Sequence, residues 1–391
     1  MKILYVYGMA QTKDIVFNLR EIGYTVEEYP VRQQNSLLDD TELDALMTYI
    51  KRNHITHLMS IHLIYNAALT AYRCGIKYIA LIWDAPYIKL YTPFGRMDNC
   101  WFTVFDKRDC NRFLQDGIPH VMYQPLAVNH FEILQLDIKR KLKGNYLHEI
   151  SFVGSLYDHN LFDRDLRELP AALQEFFVRV FEASAFCWDG SGCVYGKMDQ
   201  AVLEDVKSAL PDFKIEHRLD VEDVRFFEVA YLIRKIANLE RICVLNLLGE
   251  RFPMTFYTNT DTDTSALVNV EVMPPVLPGK DVFTVYAGSK INLNLSLKGM
   301  EGGTPQRVMD IMGAGGFVLS TYCEETAELF EEDKEIVMFR TPEELVDKVQ
   351  YYLSHDEERE QIAAAGCAKV LQCYTYEKKL KELMNWVETE A

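Results

Sequence analysis

The feature of this sequence that most constrains its fold is a regular alternation of short apolar runs with amphipathic segments. The alternation starts at the N-terminus and continues to about residue 127. Strands that alternate with helices in this way form a parallel, doubly wound α/β sheet, which binds ligands beyond the carboxyl ends of its strands. We therefore predict strands at residues 3–7, 26–31, 57–62, 78–84, 101–106 and 121–126.

A second series of the same kind follows a charged link at residues 139–144. It opens with a predicted strand at 150–155 and is interrupted at about 160–241 by a stretch that shows helical periodicity only. The alternation then resumes, with predicted strands at 243–248, 254–257, 269–273, 291–295, 317–321 and 336–339.

These two series predict two Rossmann-like domains, which agrees with a length of 391 residues. We place the N-terminal domain at 1–145 and the C-terminal domain at 146–373, with a helical insertion at about 160–241. A last helix at 374–391 is expected to pack back toward the N-terminal domain. Hydrophobic residues make up 49% of the chain, which is enough for both domains to bury a core.

Charge and cysteine content exclude several classes of protein. A formal net charge of -17 disfavours a nucleic-acid-binding or membrane-surface protein, because both classes usually present a basic face. No run reaches the ~18 apolar residues that a membrane helix needs. The nine cysteines are scattered without a CxxC pair, so we expect neither a disulfide framework nor a zinc site. We expect a cytoplasmic protein.

The segment at 302–316 carries the clearest functional signal, because a glycine-containing loop leads directly into a predicted helix. Thr304 is the expected N-cap, and Pro305 the first helical residue. The N-terminus of a helix attracts anions, and Arg307 in its first turn can add a bidentate phosphate contact. Asp310, one turn further, can accept hydrogen bonds from sugar hydroxyls. This combination suits a nucleotide sugar; the alternative is an ordinary capped helix with an Arg307–Asp310 surface pair.

Short motifs run in order along nearly the whole chain. They are WDAPY at 83–87, FDK at 105–107, QPLAVN at 124–129, SFVGSLYD at 151–158, SKINLN at 289–294, the segment at 303–316, and the tail at 351–366 with YTY at 374–376. In these residues and their order the chain resembles the CgeB-like, spore-maturation-type glycosyltransferases, whose C-terminal domain is of the glycosyltransferase group 1 type. The resemblance implies the GT-B fold, with two tandem Rossmann-like domains facing each other across a cleft.

The resemblance also implies a reaction. A hexosyl or N-acetylhexosaminyl unit would pass from a nucleotide-diphosphate sugar, most commonly a UDP-sugar, to a hydroxyl of a glycan, protein or small-molecule acceptor. The donor would lie mainly against the C-terminal domain and the acceptor against the N-terminal domain. Enzymes of this fold generally need no bound metal, so we expect no cofactor beyond the donor, and transfer with retention.

Related retaining enzymes carry two acidic residues in an E-x7-E pattern. The second lies on the donor helix and binds the ribose, and Asp310 stands there. The first is replaced by Gly302, and the nearest acid is Glu301. The broken pattern leaves open a non-catalytic nucleotide-sugar-binding or scaffold protein derived from a glycosyltransferase. A phosphorylase or epimerase on the same scaffold is a third interpretation.

Several further residues are candidates for the donor site. Gly154 and Ser155 follow the first strand of the second domain, where a glycine lets a phosphate approach the backbone; the alternative is a plain tight turn. Lys290 is a candidate point charge for the diphosphate, or else a solvated lysine. The backbone N–H groups of Gly303 and Thr304 would act with Arg307 on the departing diphosphate.

Two polar residues at predicted strand ends of the first domain are candidate catalytic groups. Related transferases carry a histidine near His62 that reaches the sugar, although a single histidine at a strand end is often structural. Asp84 ends the next strand and can orient an acceptor hydroxyl or act as a general base; the alternative is a loop cap. Asp106 is a weaker candidate of the same kind, because it can simply cap the following helix.

Asp261, Thr262 and Asp263 form a DxD sequence, and divalent cations bind such oxygen ligands. The sequence lies in a polar, turn-rich loop, so we interpret it as a loop and predict no metal site.

Overall fold

The computed structural model describes residues 1–7, 13–31, 40–138, 142, 145–189, 194–217 and 219–390. These residues form two six-stranded sheets in which every strand pair is parallel. The prediction of two Rossmann-like α/β domains is thereby confirmed. Packing divides the chain into a first unit, which comprises Met1–Asn129, Arg218–Asp220 and Cys373–Ala391, and a second unit, which comprises His130–His217 and Val221–Gln372.

The sheet of the first unit has the strand order β2-β1-β3-β4-β5-β6. Its strands are β1 Lys2–Tyr7, β2 Thr25–Pro30, β3 His57–Ile61, β4 Lys77–Ile82, β5 Cys100–Val104 and β6 Val121–Tyr123. Its helices are α1 Lys13–Glu21, α2 Asp40–Arg52, α3 Tyr65–Cys74 and α4 Lys107–Gln115, with a 3₁₀ turn at Ile88–Leu90. The inner strands β1, β3, β4 and β5 are largely buried, as parallel strands covered on both faces are, whereas in the edge strand β2 only Val26 is buried.

The last helix of the chain, Tyr376–Thr389, is part of the core of the first unit. Leu380, Leu383, Met384 and Val387 are buried there, and their i, i+3, i+4, i+7 spacing places them on one helix face. The Lys77 ammonium donates to the Val387 carbonyl. The domain bounds expected from the sequence, at 1–145, 146–373 and 374–391, remain a prediction.

The sheet of the second unit has the order β12-β11-β10-β7-β8-β9. Its strands are β7 His148–Val153, β8 Met254–Tyr257, β9 Val270–Met273, β10 Ser289–Asn294, β11 Val318–Thr321 and β12 Val337–Phe339. Its helices are α5 His130–Leu136, α6 Leu161–Asp165, α7 Ala171–Ala185, α8 Gln200–Ala209, α9 Asp223–Phe227, α10 Ile233–Gly249, α11 Lys280–Gly288, α12 Gln306–Gly313, α13 Glu324–Leu329, α14 Pro342–Ser354 and α15 Asp356–Cys373; the helix of the first-unit core is α16.

The strand predicted at 243–248 is wrong, because these residues lie within α10. Val244, Leu245 and Leu248 are completely buried in the core of the second unit. A short apolar run in a buried helix has the hydropathy of a buried strand, so periodicity cannot separate the two. A π-helical segment at Glu228–Leu232 joins α9 to α10, and the helix therefore runs on from the predicted insertion into the core.

Among the helices that the structure describes, none has both the length and the apolar character required to cross a membrane.

Candidate functional site

The candidate donor site lies at the carboxyl edge of the second sheet, between β7 and β10. These strands are neighbours, and the strand order reverses there, because β7 leads to β8 on one side and β10 to β11 on the other. Such a topological switch point is where open α/β sheets bind their ligands. Gly154 follows β7 directly, and Asn294 is the last residue of β10.

Arg307, in the first turn of α12, reaches this switch point. Its Nη1 donates to Asn294 Oδ1 at 3.1 Å, and its guanidinium lies 4.9 Å from the centre of the Phe152 ring. A planar cation over an aromatic face is an attractive arrangement. The side chain is therefore held in place at the strand ends by two residues of the sheet.

Gly154 permits the close approach of Arg307. A Cβ atom at this position would lie 3.0 Å from Arg307 Nη2 and 3.1 Å from Phe152 Cζ. The N–H of Gly154 donates to the carbonyl of Tyr257, in β8, at 3.0 Å, and this bond fixes the backbone at Gly154. The structure thus brings Gly154 and Arg307 together, for the steric reason that no side chain separates them.

Ser155 shapes the turn that follows Gly154. Its hydroxyl accepts a hydrogen bond from the Tyr157 N–H at 2.9 Å, and Tyr157 adopts a positive φ of 55°. A serine that accepts from the backbone two residues on is a common turn device. The hydroxyl of Ser155 is therefore used within the loop.

Thr304 is not the N-cap that the sequence predicted. The cap is Pro305, whose carbonyl accepts from Val308 N at 3.0 Å and from Met309 N at 3.4 Å. The Thr304 hydroxyl is buried and bonds to Thr326 Oγ1 at 2.9 Å, so α12 begins one residue later than expected. Gly303 is buried in the same loop, and Cys323 Sγ donates to the Gly302 carbonyl at 2.9 Å.

Asp310 lies one turn along α12 from Arg307. Its carboxylate accepts from Gln306 Nε2 at 2.8 Å. Both charges act on the buried phenol of Tyr286: burial raises the Tyr286 pKa, Arg307 opposes that rise and Asp310 adds to it. Asp310 and Arg307 therefore belong to one electrostatic neighbourhood.

Lys290 lies away from this neighbourhood. It is the second residue of β10, whereas Asn294 is the last, which separates them by about 13 Å along the strand. Its ammonium is 2.9 Å from Glu149 Oε1 on the adjacent strand. The structure does not bring Lys290 together with Arg307, and its position does not fit a shared diphosphate contact.

In the first unit, His62 and Asp84 lie beyond the carboxyl ends of the neighbouring strands β3 and β4. His62 Nε2 is 3.3 Å from Asp84 Oδ2. The imidazole stacks on the Tyr87 ring at 5.3 Å and 15°. Because the strands are parallel and adjacent, these two candidates meet although 22 positions separate them in the sequence.

The backbone around His62 is held by hydroxyl groups. The hydroxyls of Ser60 and Tyr78 donate to the His62 carbonyl at 2.7 and 3.2 Å. The next N–H group, of Leu63, donates to the Tyr87 hydroxyl at 3.0 Å. These contacts support the positive φ of 60° at His62, which is costly for a residue with a side chain.

The environment of the pair assigns a protonation state to His62. Burial lowers its pKa, which Asp84 partly offsets and Lys89 lowers further, so the ring is neutral at neutral pH. A carboxylate only accepts hydrogen bonds, so the ring proton belongs on Nε2, facing Asp84. Nδ1 is buried and has no partner among the described residues. The Asp84 side chain, by contrast, is 74% exposed.

The remaining acidic candidates have structural partners. Asp106 caps α4, and its carboxylate accepts from the N–H groups of Arg108 and Asp109, both at 3.0 Å. In the DxD loop, Asp263 Oδ1 accepts from Ser265 N at 2.9 Å. Within the described part of the chain, no group of three or more His, Cys, Asp or Glu side chains is arranged to hold a metal ion.

Sequence reasoning missed two residues of the site, Asn294 and Arg241. Arg241 is only 2% exposed, and it escaped notice because the segment after it was interpreted as a strand. In a helical interpretation, it falls on the apolar stripe with Ala237, Val244 and Leu248, at i, i+4, i+7 and i+11. A lone arginine on a buried stripe is the signal that would have found it.

The family model described as glycosyl transferase-like matches residues 225–385. This match includes α10, β10 and α12, and therefore Arg241, Asn294 and Arg307. A comparison with curated proteins by sequence found no match.

Three solved structures share the fold over essentially their whole length. Sucrose-phosphate synthase from Thermosynechococcus elongatus has a TM-score of 0.57 and 7% identity, with 100% of both chains covered. A glycosyltransferase from Rickettsia africae ESF-5 has a TM-score of 0.55 and 9% identity, with 99% of both covered. Anabaena Alr3699/HepE in complex with UDP-glucose has a TM-score of 0.51 and 9% identity, with 100% of both covered. At such identities the likeness shows the GT-B fold alone; with the family match it supports a GT-B glycosyltransferase.

Proposed function

We propose that the protein transfers a glycosyl unit from a nucleotide-diphosphate sugar to an acceptor hydroxyl. The observation that carries the proposal is the position of Arg307, which Asn294 holds beside Gly154 at the switch point of the second sheet. A guanidinium at the N-terminus of a helix, beyond the strand ends, suits a diphosphate.

On this proposal, the second unit stabilises the departing diphosphate. Negative charge develops there in the transition state, and fixed positive groups lower the barrier without having to reorganise. Arg307 supplies a full charge, and the backbone N–H groups near Gly303 and Thr304 add dipoles. The Asp310 carboxylate accepts hydrogen bonds from the ribose hydroxyls.

In the first unit, we propose that Asp84 takes the proton from the acceptor hydroxyl. The exposed carboxylate can take a proton from a hydroxyl, whereas both nitrogens of His62 are engaged or buried. His62 then orients Asp84 through its Nε2 proton, as a third group orients a base in other acid–base sites. The alternative assignment, with His62 as the base, requires the ring to turn away from Tyr87.

The finer features of the reaction are proposed with support from the comparisons and from the sequence. The Anabaena HepE structure contains UDP-glucose, which favours a UDP-sugar here, with transfer of a hexosyl or N-acetylhexosaminyl unit. We propose that transfer needs no metal and proceeds with retention, and that the chain is of the CgeB-like subtype. The acceptor is a glycan, a protein or a small molecule.

The test is a thermal-shift panel with UDP, GDP, dTDP, CDP and their sugars, without added metal, followed by assays of transfer and donor hydrolysis. A ligand at ~100 times its dissociation constant adds ~2.7 kcal/mol of stability. We expect one nucleotide family to stabilise the wild type. Arg307→Ala should lose this shift and at least ~10²-fold in turnover, as on removal of one oxyanion donor.

The matched control is Arg251→Ala, which removes an exposed arginine of the same unit. Wild-type turnover by a folded Arg307→Ala variant would refute the assignment. Binding without transfer or hydrolysis would favour the non-catalytic nucleotide-sugar-binding protein, the interpretation that Gly302 in the acidic pattern leaves open. A requirement for phosphate or the release of free sugar would favour a phosphorylase or epimerase.

A further inference from the structure

Beside Arg307 lies a second arginine to which the proposed function assigns no role. Arg241, in α10, donates from Nη1 to the Ser155 carbonyl at 2.5 Å and from Nη2 to the Leu295 carbonyl at 3.1 Å. Ser155 belongs to the loop after β7, and Leu295 directly follows β10. One guanidinium therefore ties together the two loops that leave the switch point.

The two arginines share one aromatic ring. The guanidinium of Arg241 lies 5.3 Å from the centre of the Phe152 ring, and that of Arg307 lies 4.9 Å from it. Arg241 also lies 4.6 Å from the centre of the Tyr157 ring. Arg241 thus contacts the turn at 154–157 through the Ser155 carbonyl and through the rings of Phe152 and Tyr157.

Neither arginine of this pair forms an ion pair with a carboxylate of the described residues. Burial lowers the pKa of Arg241 to about 10; Tyr157 opposes this, Arg307 lowers the pKa further and Glu240 opposes it. The side chain is therefore still protonated at neutral pH. Among the described residues, no carboxylate lies within ion-pair distance, 4.0 Å, of either guanidinium. Two neighbouring cations, neither of which is held in such an ion pair, favour an anionic ligand.

The residues beside Arg241 make α10 a support for the same loops. Asn238 Nδ2 donates to the Leu156 carbonyl at 3.0 Å. Glu240, which is fully buried, pairs with Lys298 at 3.1 Å. Lys298 lies in the segment that connects β10 to α12. Three residues within one turn of α10 thus hold both loops of the switch point.

We propose that Arg241 is a positioning residue of the donor site. It fixes the loops after β7 and β10 so that Gly154 and Arg307 lie at the correct separation, and it adds a second positive charge behind Arg307. The inference rests on the proposed function, since the site that it positions is the one assigned there to the nucleotide diphosphate.

The test compares Arg241→Met, Arg241→Lys and Arg359→Met in the full chain. Arg359 is the matched control, because it too is buried in the second unit, donates to a backbone carbonyl (Tyr352) and lies over an aromatic ring (Tyr146). UDP affinity is measured by calorimetry, and hydrogen exchange is followed in peptides that cover 150–160 and 293–300. The exchange measurement needs no ligand.

We expect Arg241→Met to weaken UDP binding about tenfold or more, the scale of losing a hydrogen bond to a charged group. Exchange in both loops should rise in the same variant. Arg241→Lys should recover part of the affinity, because it keeps the charge and loses the bridge between the two carbonyls. Arg359→Met should lose thermal stability and keep wild-type UDP affinity and loop protection.

Three results would overturn the inference. Unchanged loop exchange in Arg241→Met would show that Arg241 does not position the loops. Altered exchange with unchanged UDP affinity would show that this positioning does not serve the donor. Equal loss of affinity in Arg359→Met would show a general effect of stability. If the wild type bound none of the nucleotides of the panel, the proposed function itself would fail. That failure can be told apart from a failure of this inference, because the exchange measurement tests the loops without a ligand.

Discussion

At the scale of single residues, His62 and Asp84 are two titratable groups that lie side by side in different environments. The imidazole is packed on Tyr87 and loses its charge, while the carboxylate 3.3 Å away faces solvent. Two groups whose environments differ in this way can divide acid–base work between them. The sequence presents the two residues as separate candidates, and in the structure their side chains are in contact.

Asp84→Asn should lower turnover by roughly 10²- to 10⁴-fold, the range for a general base, and leave UDP affinity unchanged. His62→Gln should cause a smaller loss, because an amide can still donate to the carboxylate. Both are measured as UDP release from the UDP-sugar in the presence of acceptor. Asp98→Asn, an exposed aspartate of the same unit, is the control. Undiminished turnover by Asp84→Asn would exclude the carboxylate as the base.

The environment of His57 makes the stability of the protein depend on pH. Burial lowers its pKa to about 4, and Lys77 acts in the same direction. An unfolded histidine has a pKa near ~6.5, so between about pH 6.5 and 4 the unfolded chain binds a proton that the folded chain does not. Stability contributed by neutral His57 is complete above this window and is lost as the pH falls through it.

The corresponding measurement is urea unfolding at pH 7.5 and pH 5.0. His57→Gln should show a smaller decrease in the free energy of unfolding between the two pH values than the wild type does. His159→Gln, at a side chain that is 75% exposed, should behave as the wild type. A wild-type pH response in His57→Gln would contradict the assignment.

At the scale of elements, the helices α10 and α16 both contact parts of the chain that are distant from them in the sequence. The C-terminal helix α16 completes the core of the first unit, although the second unit, of about 240 residues, precedes it in the chain. Helix α10 lies against the loops after β7 and β10, although residues 243–248 within it have the hydropathy of a buried strand. Both are defined by what they pack against.

Leu383→Ala should destabilise the first unit by about 2–5 kcal/mol, the range for emptying a fully buried leucine site. Leu383 is 0% exposed in the core beside Trp101, and Trp101 contacts Trp386 of the same helix edge to face at 4.8 Å. Urea unfolding followed by tryptophan fluorescence should therefore report the loss. Leu114→Ala, 48% exposed in the same unit, should change stability little. Equal effects of both variants would show that α16 contributes no core.

At the scale of the whole molecule, strand order determines which parts of the chain can fold alone. The segment that matches the family model, residues 225–385, lacks β7. That strand lies between β10 and β8 and pairs with both, so the segment would retain two half-sheets with open edges. It also carries most of α16 without the core that buries it.

A fragment of residues 225–385 should therefore be unfolded or aggregated, whereas a fragment of 130–372 should fold. The measurement is far-UV circular dichroism with a cooperative thermal transition as the criterion. UDP should stabilise the longer fragment if the donor site is complete within the second unit. A cooperative transition in the shorter fragment would show that β7 is dispensable for the fold.

Residues with a local signal could be predicted, and residues that depend on register could not. The loop and helix around Arg307 were evident from glycine, proline and spacing, all of which act over a few residues. Lys290 lies near the start of β10, away from Arg307, and this depends on the residue at which β10 begins. The N-cap of α12 is Pro305 and not Thr304, whose hydroxyl bonds to Thr326 instead. Asn294 and Arg241 acquire their meaning only from their neighbours.

The sequence by itself determined that the chain forms two parallel α/β sheets and that a glycine-containing loop and a helix follow β10. Periodicity, turn residues and helix propensity are local, and they operate before any long-range contact forms. The tertiary structure alone decided the strand orders, and with them the switch point at which Gly154, Asn294 and Arg307 meet. It likewise decided the pairing of His62 with Asp84, because strand adjacency is a property of packing between distant segments and no local pattern encodes it.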